Sequence, residues 1–253
     1  MRKFWQPAHR ALLHQKTFSK AKAMNLHLLR TGPLGVNTYL VPVSKTDVIV
    51  IDPADCTFSH DEGSVVSYLA SKNLVPVAVV LTHGHFDHVS GLPFLKKSFP
   101  ALPIAIHPDD AAYVGADSAV MQGKALAQMG FDEFLPFVTN LPQATAFLED
   151  KKTLADVFAS VSFSEEVRAS LSQWEILHTP GHTEGSCCLY NDAERTLISG
   201  DTMFYRSWGR TDLVGGNERK IHQSLLKINE YCEEDTRVYS GHDGGSFILG
   251  ENF

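Results

Sequence analysis

The stretch Val77-Ala78-Val79-Val80-Leu81-Thr82-His83-Gly84-His85-Phe86-Asp87-His88 runs from an unbroken apolar segment into four metal-competent side chains, His83, His85, Asp87 and His88, within six residues. A short apolar run ending in such a cluster reads as a buried strand whose terminal loop delivers ligands. Imidazole and carboxylate donors suit zinc or iron. A metal site is therefore the starting expectation.

Three further segments share this construction: Thr179-Pro180-Gly181-His182-Thr183, Ser199-Gly200-Asp201-Thr202 and Ser240-Gly241-His242. Each sets His182, Asp201 or His242 just after an apolar, strand-like stretch and beside a glycine. Glycine lets the backbone turn sharply there and brings the ligand-bearing loop close to the metals. The other histidines, His9, His14, His27, His60, His107, His178 and His222, read as surface or core residues.

Taken in order, the cluster followed by His182, Asp201 and His242 resembles the metallo-β-lactamase superfamily, and within it the glyoxalase II-like (hydroxyacylglutathione hydrolase-like) hydrolases. The similarity runs from about residue 26 to the C-terminus and includes Ile51-Asp52-Pro53 and Gly209-Arg210-Thr211-Asp212. The resemblance implies that His83, His85 and His182 hold one divalent metal ion and that Asp87, His88 and His242 hold a second. Asp201 would bridge them, and the expected ions are Zn2+, with Fe or Mn as alternatives. It also implies hydrolysis of a thioester such as S-D-lactoylglutathione by a metal-bridging hydroxide, with catalytic roles for Asp87 and Asp201. Asp52 would hydrogen-bond a ligand imidazole and fix its tautomer.

Chemistry supports that reading, because a closed structural zinc needs only four ligands. Two cations close together lower the pKa of a shared water and polarise the carbonyl under attack. His85 stands where the flavin-linked diiron oxidoreductases of the superfamily carry Glu, which favours a hydrolase or a dioxygenase. The alternatives are a persulfide dioxygenase, with one iron on the counterparts of His83, His182 and Asp201, and another hydrolase such as a lactonase or β-lactamase. The chain ends eleven positions after His242, which resembles the compact type without the C-terminal helical region that helps hold glutathione. Arg210 offers a planar fork suited to a substrate carboxylate, with an ion pair to Asp212 as the competing use. Tyr205, in the same loop, is the second candidate substrate contact.

Around the motifs, segments 26–30, 38–43, 48–51, 77–81, 104–106, 174–177, 187–190, 196–198 and 237–239 read as strands. Helices are expected at 61–72, 92–99 and 217–232, the last with Ile221, Leu225, Ile228 and Cys232 on one stripe. The fold class that follows is α/β, a four-layer αββα sandwich. Its domain spans residues 25–253, with a helical insertion at about 109–172 that roofs the active site, behind a basic extension at residues 1–24. Met121, Met129, Phe131, Phe134 and Phe137 of the insertion are either its own core or substrate contacts.

A length of 253 residues suits one domain. A net charge of −7 argues against a broad nucleic-acid surface, leaving a small-molecule thioester as the expected partner, with no sign of oligomeric state. Cys56, Cys187, Cys188 and Cys232 lack a Cys-x-x-Cys pairing and read as reduced packing residues, with Cys187 and Cys188 on opposite strand faces. No apolar stretch is long enough to span a membrane. The expected location is cytoplasmic, or mitochondrial if the basic, acid-poor start is a transit peptide.

Overall fold

Along Asp47–Ile51, Val48 and Val50 point into one apolar cluster while Ile49 and Ile51 point into another. A strand with apolar residues on both faces must be covered on both faces, and that requirement organises the molecule. The computed structural model describes residues 24–252, so the basic extension lies outside the described residues except for Met24.

One sheet holds, in spatial order, β1 (His27–Thr31), β2 (Val36–Pro42), β3 (Asp47–Ile51), β4 (Val75–Val80), β5 (Ile104–Ile106) and β6 (Ala146–Phe147). It is antiparallel from β1 to β3 and parallel from β3 to β6. The other holds β7 (Glu175–His178), β8 (Cys187–Asn191), β9 (Thr196–Gly200), β10 (Arg237–Ser240) and β11 (Ser246–Ile248) as consecutive neighbours, with only β9 and β10 parallel.

The helices are α1 (Ser64–Lys72), α2 (Phe86–Val89), α3 (Leu92–Ser98), α4 (Ser118–Met129), α5 (Leu154–Val157), α6 (Glu165–Leu171) and α7 (Glu218–Tyr231). Val65 and Leu69 of α1 and Leu92 and Leu95 of α3 cover the outer face of the first sheet. Between the sheets, Tyr39, Val41, Ile49 and Ile51 meet Ile176, Cys187, Leu189 and Ile198. On the far side Cys188, Leu197 and Val238 pack on Leu225, Ile228 and Cys232 of the α7 region. The result is the four-layer αββα sandwich, and Cys187 and Cys188 do face opposite layers. All four cysteines are buried and free. Among the described residues no helix is long and apolar enough to cross a membrane.

Segment 109–172 differs from a purely helical roof. Its first part does build its own core, with Phe134 fully buried among the rings of Phe58, Phe131 and Phe137. Its middle supplies β6, the edge strand of the first sheet, and its last part sends Leu154, Phe158, Val167 and Leu171 into the core between the sheets. A two-residue strand carries no alternation, so β6 leaves no periodic signal.

Asp55 sets a pH dependence on this fold. Its carboxylate accepts from the Gly63 N–H at 2.8 Å at the start of α1, while Oδ1 has no partner. Burial pushes its carboxyl up to about 6 in spite of its backbone hydrogen bonds. A folded-state value above the unfolded value of about 3.9 favours the protonated form. Its contribution is therefore full below about pH 4 and is lost as pH rises through about 6. Asp55→Asn should remove a loss on the order of 2–3 kcal/mol between pH 4 and 7. Denaturant titrations of both proteins across that range check it, and parallel stability curves would exclude Asp55 as the source.

Candidate metal centre

Each expected ligand leaves the C-terminal end of a strand: the His83 to His88 loop follows β4, His182 follows β7, Asp201 follows β9 and His242 follows β10. The structure brings all seven side chains together at one edge of the sandwich. Donor atoms of His83, His85 and His182 lie within 4.8 Å of one another, as do those of Asp87, His88 and His242. Asp201 stands between the two groups, with Oδ2 3.6 Å from His182 Nε2 and 3.4 Å from His242 Nε2, and Oδ1 3.5 Å from His88 Nε2. A Cβ on Gly241 would collide with the Asp201 carboxylate, so only glycine lets the last loop come this close.

A relay of hydrogen bonds fixes the tautomers. Asp52 accepts from the Thr82 N–H at 2.8 Å, from the Thr82 hydroxyl at 2.6 Å and from His88 Nδ1 at 2.9 Å. Because the Thr82 hydroxyl has given its proton to Asp52, it accepts from His83 Nδ1 at 3.1 Å. One carboxylate thus turns Nε2 of His83 and of His88 inward as lone-pair donors, one in each group. His182 Nδ1 donates to the Arg210 carbonyl at 2.8 Å, which leaves its Nε2 free to bind, facing His85 Nδ1 at 2.8 Å.

The donor set fits metal ions. His83 Nε2 and Asp201 Oδ1 are buried without a hydrogen-bond partner, a costly arrangement unless a further group satisfies them. Burial, then neighbouring histidines, hold His83 well below the ordinary imidazole value and His85 at about 3, so both are neutral donors. For His242, burial is outweighed by hydrogen bonds and charge from Asp201 and Asp87, which push it up to about 11. The Asp201 carboxyl is lowered despite burial, by His88 and by His242. His83 and His85 of the first group are neutral, whereas the second group is rich in charge.

Asp110 has no signal in the sequence reading, yet it ties two ligand loops together. It is fully buried in a 3-10 helix, Pro108–Tyr113. Its Oδ2 accepts from the Gly84 N–H at 2.8 Å and the Thr183 hydroxyl at 2.7 Å, and its Oδ1 accepts from the Gly185 N–H at 2.8 Å. Gly84 lies between His83 and His85, and Thr183 follows His182. Buried Gln122 of α4 donates to the Gly84 carbonyl at 2.8 Å and to the Tyr113 carbonyl at 2.9 Å. A lone Asp with partners 26, 73 and 75 positions away leaves no local pattern.

The two candidate substrate contacts fare differently. Arg210 lines a cavity of about 300 Å³ over the cluster, but its Nε and Nη2 donate to both oxygens of Asp212 at 2.8 Å. Tyr205 does not line the cavity. The tight turn closed by Phe204 and Ser207 puts Phe204 on the wall and leaves Tyr205 half exposed, 5.7 Å from the Phe247 ring. Elsewhere His107, Asp109 and His178 come together, but the two imidazoles stack with centroids 4.0 Å apart and planes 9° apart. Lone pairs in parallel planes cannot both aim at one ion, and His178 Nε2 already donates to the Glu184 carbonyl.

A two-sheet sandwich that gathers a buried His/Asp cluster at its strand ends defines a metal-binding α/β protein. Residues 31–242 match the profile of the metallo-beta-lactamase superfamily. The chain belongs to that superfamily and is a metal-dependent hydrolase of it. It is 29% identical over 233 residues to the probable metallo-hydrolase YqgX of Bacillus subtilis (strain 168), covering 90% of this chain and 94% of that one. It is 25% identical over 220 residues to the hydroxyacylglutathione hydrolase of Pelagibacter ubique (strain HTCC1062), covering 87% and 71%. Among solved structures, BLEG-1 B3 metallo-beta-lactamase aligns with a TM-score of 0.71 at 26% identity over 89% of this chain and 95% of that one. TTHA1623 in a di-iron-bound form aligns at 0.65 and 27% identity over 89% and 96%.

The two anchoring carboxylates should separate in a metal titration against a competing chelator. Asp52→Asn cannot accept all three hydrogen bonds from Thr82 and His88, so both metal positions should weaken, by about 10- to 100-fold. Asp110→Asn should weaken the position of His83, His85 and His182 and spare that of Asp87, His88 and His242. Equal weakening of both positions in the Asp110 variant would contradict its local action.

Proposed function

We propose that the protein hydrolyses thioesters, with acylglutathiones such as S-D-lactoylglutathione as the substrate class to test. His83, His85 and His182 would hold one divalent ion and Asp87, His88 and His242 a second. The observation that carries this reading is the carboxylate of Asp201, which faces imidazoles of both groups at 3.4–3.6 Å. Ions bound there would supply Lewis acidity and a water whose pKa lies near neutrality.

The chain's own residues account for the rest. Asp87 lines the cavity floor beside Asp201, where its carboxylate can orient a water and take up its proton. The Asp52 relay keeps His83 and His88 presenting Nε2 throughout. A leaving thiolate, with a conjugate acid pKa of about 8.5, departs without a general acid. The name of the Pelagibacter relative points the same way. The ions fit as Zn2+, and the di-iron form of TTHA1623 keeps Fe as an alternative.

Asp201→Ala tests the reading. It should lose bound metal and lower S-D-lactoylglutathione turnover by at least about 10²-fold, read by elemental analysis and by loss of thioester absorbance. Wild-type metal content and turnover in that variant would refute the shared role of Asp201. Turnover of a chromogenic β-lactam with no thioester hydrolysed would refute the substrate class.

A further inference from the structure

The cavity has a polar floor and apolar walls. His85, Asp87, His182, Asp201 and His242 form the floor. The walls are Leu34 from the β1–β2 turn, Phe86 beside the ligand cluster, Met129 at the end of α4, and Phe204 and Leu213 from the loop after Asp201. These five come from four separate segments, so the apolar lining is built by the fold and is no property of one loop. Gln128 Oε1 accepts from the Val214 N–H at 2.7 Å, which ties the α4 end carrying Met129 to the loop carrying Leu213.

Charge in the walls is already balanced. Arg210 is the one cationic side chain among the described wall residues, and both its Nε and Nη2 are engaged by Asp212. Asp243 adds a carboxylate at the rim. An anionic group held along the walls, away from the metal positions, meets a guanidinium already paired with Asp212 and the carboxylate of Asp243. The volume, about 300 Å³, is about that of ten waters and sits at the low end of the roughly 300–1,000 Å³ range of small-molecule sites. It suits a thioester group with a short chain, the rest of the substrate lying at the open rim.

We infer that the cavity selects the acyl side of the substrate and that it takes unbranched apolar acyl chains of about four to six carbons in preference to the polar lactoyl group, with the thiol part lying at the rim. This inference rests on the thioesterase reading above. Leu34, Met129 and Phe204, the wall side chains that keep accessible surface, would act as specificity-determining residues, each gaining burial as the chain lengthens. A methylene fully buried against such a wall improves binding by up to about fourfold. Lactoyl places a hydroxyl beside the carbonyl, and the apolar wall side chains Leu34, Phe86, Met129, Phe204 and Leu213 offer no hydrogen bond to replace its water.

The test is a matrix of thioesters on the full-length, metal-loaded protein. Acetyl, butyryl, hexanoyl and D-lactoyl groups are each carried on glutathione and on neutral N-acetylcysteamine. The expected result is that kcat/KM rises by at least about tenfold from acetyl to hexanoyl on both thiols, mostly through KM, and that butyryl exceeds lactoyl. Met129→Gln should lower the hexanoyl-to-acetyl ratio several-fold. Lactoyl favoured over butyryl, or a flat chain-length series, would overturn the inference and leave the thioesterase reading intact. No hydrolysis of any member of the matrix would instead overturn the thioesterase reading. A rate set by the thiol and indifferent to the acyl group would show that the walls recognise the wrong side of the bond for this proposal.

Discussion

Burying four imidazoles and two carboxylates at one point, with a fifth imidazole partly exposed beside them, is costly unless every charge and lone pair has a partner. That constraint shapes the rest of the molecule. The groups can satisfy one another only if four loops end at the same edge of the sandwich, and the strands β4, β7, β9 and β10 run so that they do. The ligand side chains cannot tie their own loops down, because their donor atoms point at each other and at the metal positions. The loops are therefore held by groups outside the cluster: the Asp52 relay, Asp110, and the backbone.

The two metal positions have separate supports. The loop of His242 is fastened from β2: Asn37 Nδ2 donates to the Ser240 carbonyl at 2.9 Å and the Asp243 carbonyl at 3.0 Å, and the Tyr39 hydroxyl donates to the Ser240 carbonyl at 2.7 Å. The loops of His83, His85 and His182 are fastened from the other end of the first sheet by Asp110 and Gln122. Asp52, acting on His83 through Thr82, and Asp201 link both groups. Electrostatics differ in the same sense, since His83 and His85 of the first position are neutral while the carboxylates of Asp87 and Asp201 raise His242 of the second. The geometry lets affinity at one position change with little effect at the other.

How much of this was legible in the sequence depends on whether the signal is local. The ligands were readable because each sits where an apolar strand stops and a glycine follows or precedes, so motif and strand pattern support one another. The sandwich was readable from strands apolar on both faces and from the Ile221, Leu225, Ile228 stripe of α7. The two-residue β6 is too short to show a period, which is why 109–172 reads as helical, and the three-residue β11 near the C-terminus goes unread for the same reason. Asp110 was invisible for a different reason: its function is defined by partners in two distant loops. Tyr205 and Phe204 are neighbours of similar character, and only the turn that orients them decides which one reaches the cavity.

Gly209-Arg210-Thr211-Asp212 shows how a motif can be read correctly as important and incompletely as to its work. Its Arg210 side chain is taken by Asp212, while the Arg210 backbone carbonyl receives the Nδ1 proton of His182. Gly209 packs so tightly between the Asp201 carbonyl and the His182 ring that any Cβ would clash with both. The ion pair therefore shapes a loop whose backbone orients a metal-facing imidazole, and the same loop continues into Leu213 on the cavity wall. Wall and imidazole are thereby mechanically one piece. A change that reshapes the wall through this loop must also move His182, whereas replacing the side chain of Leu34 or Met129 changes the wall while the Gln122 and Gln128 hydrogen bonds of α4 stay in place. Divergence in substrate preference is consequently easier through α4 and the β1–β2 turn than through the loop after Asp201.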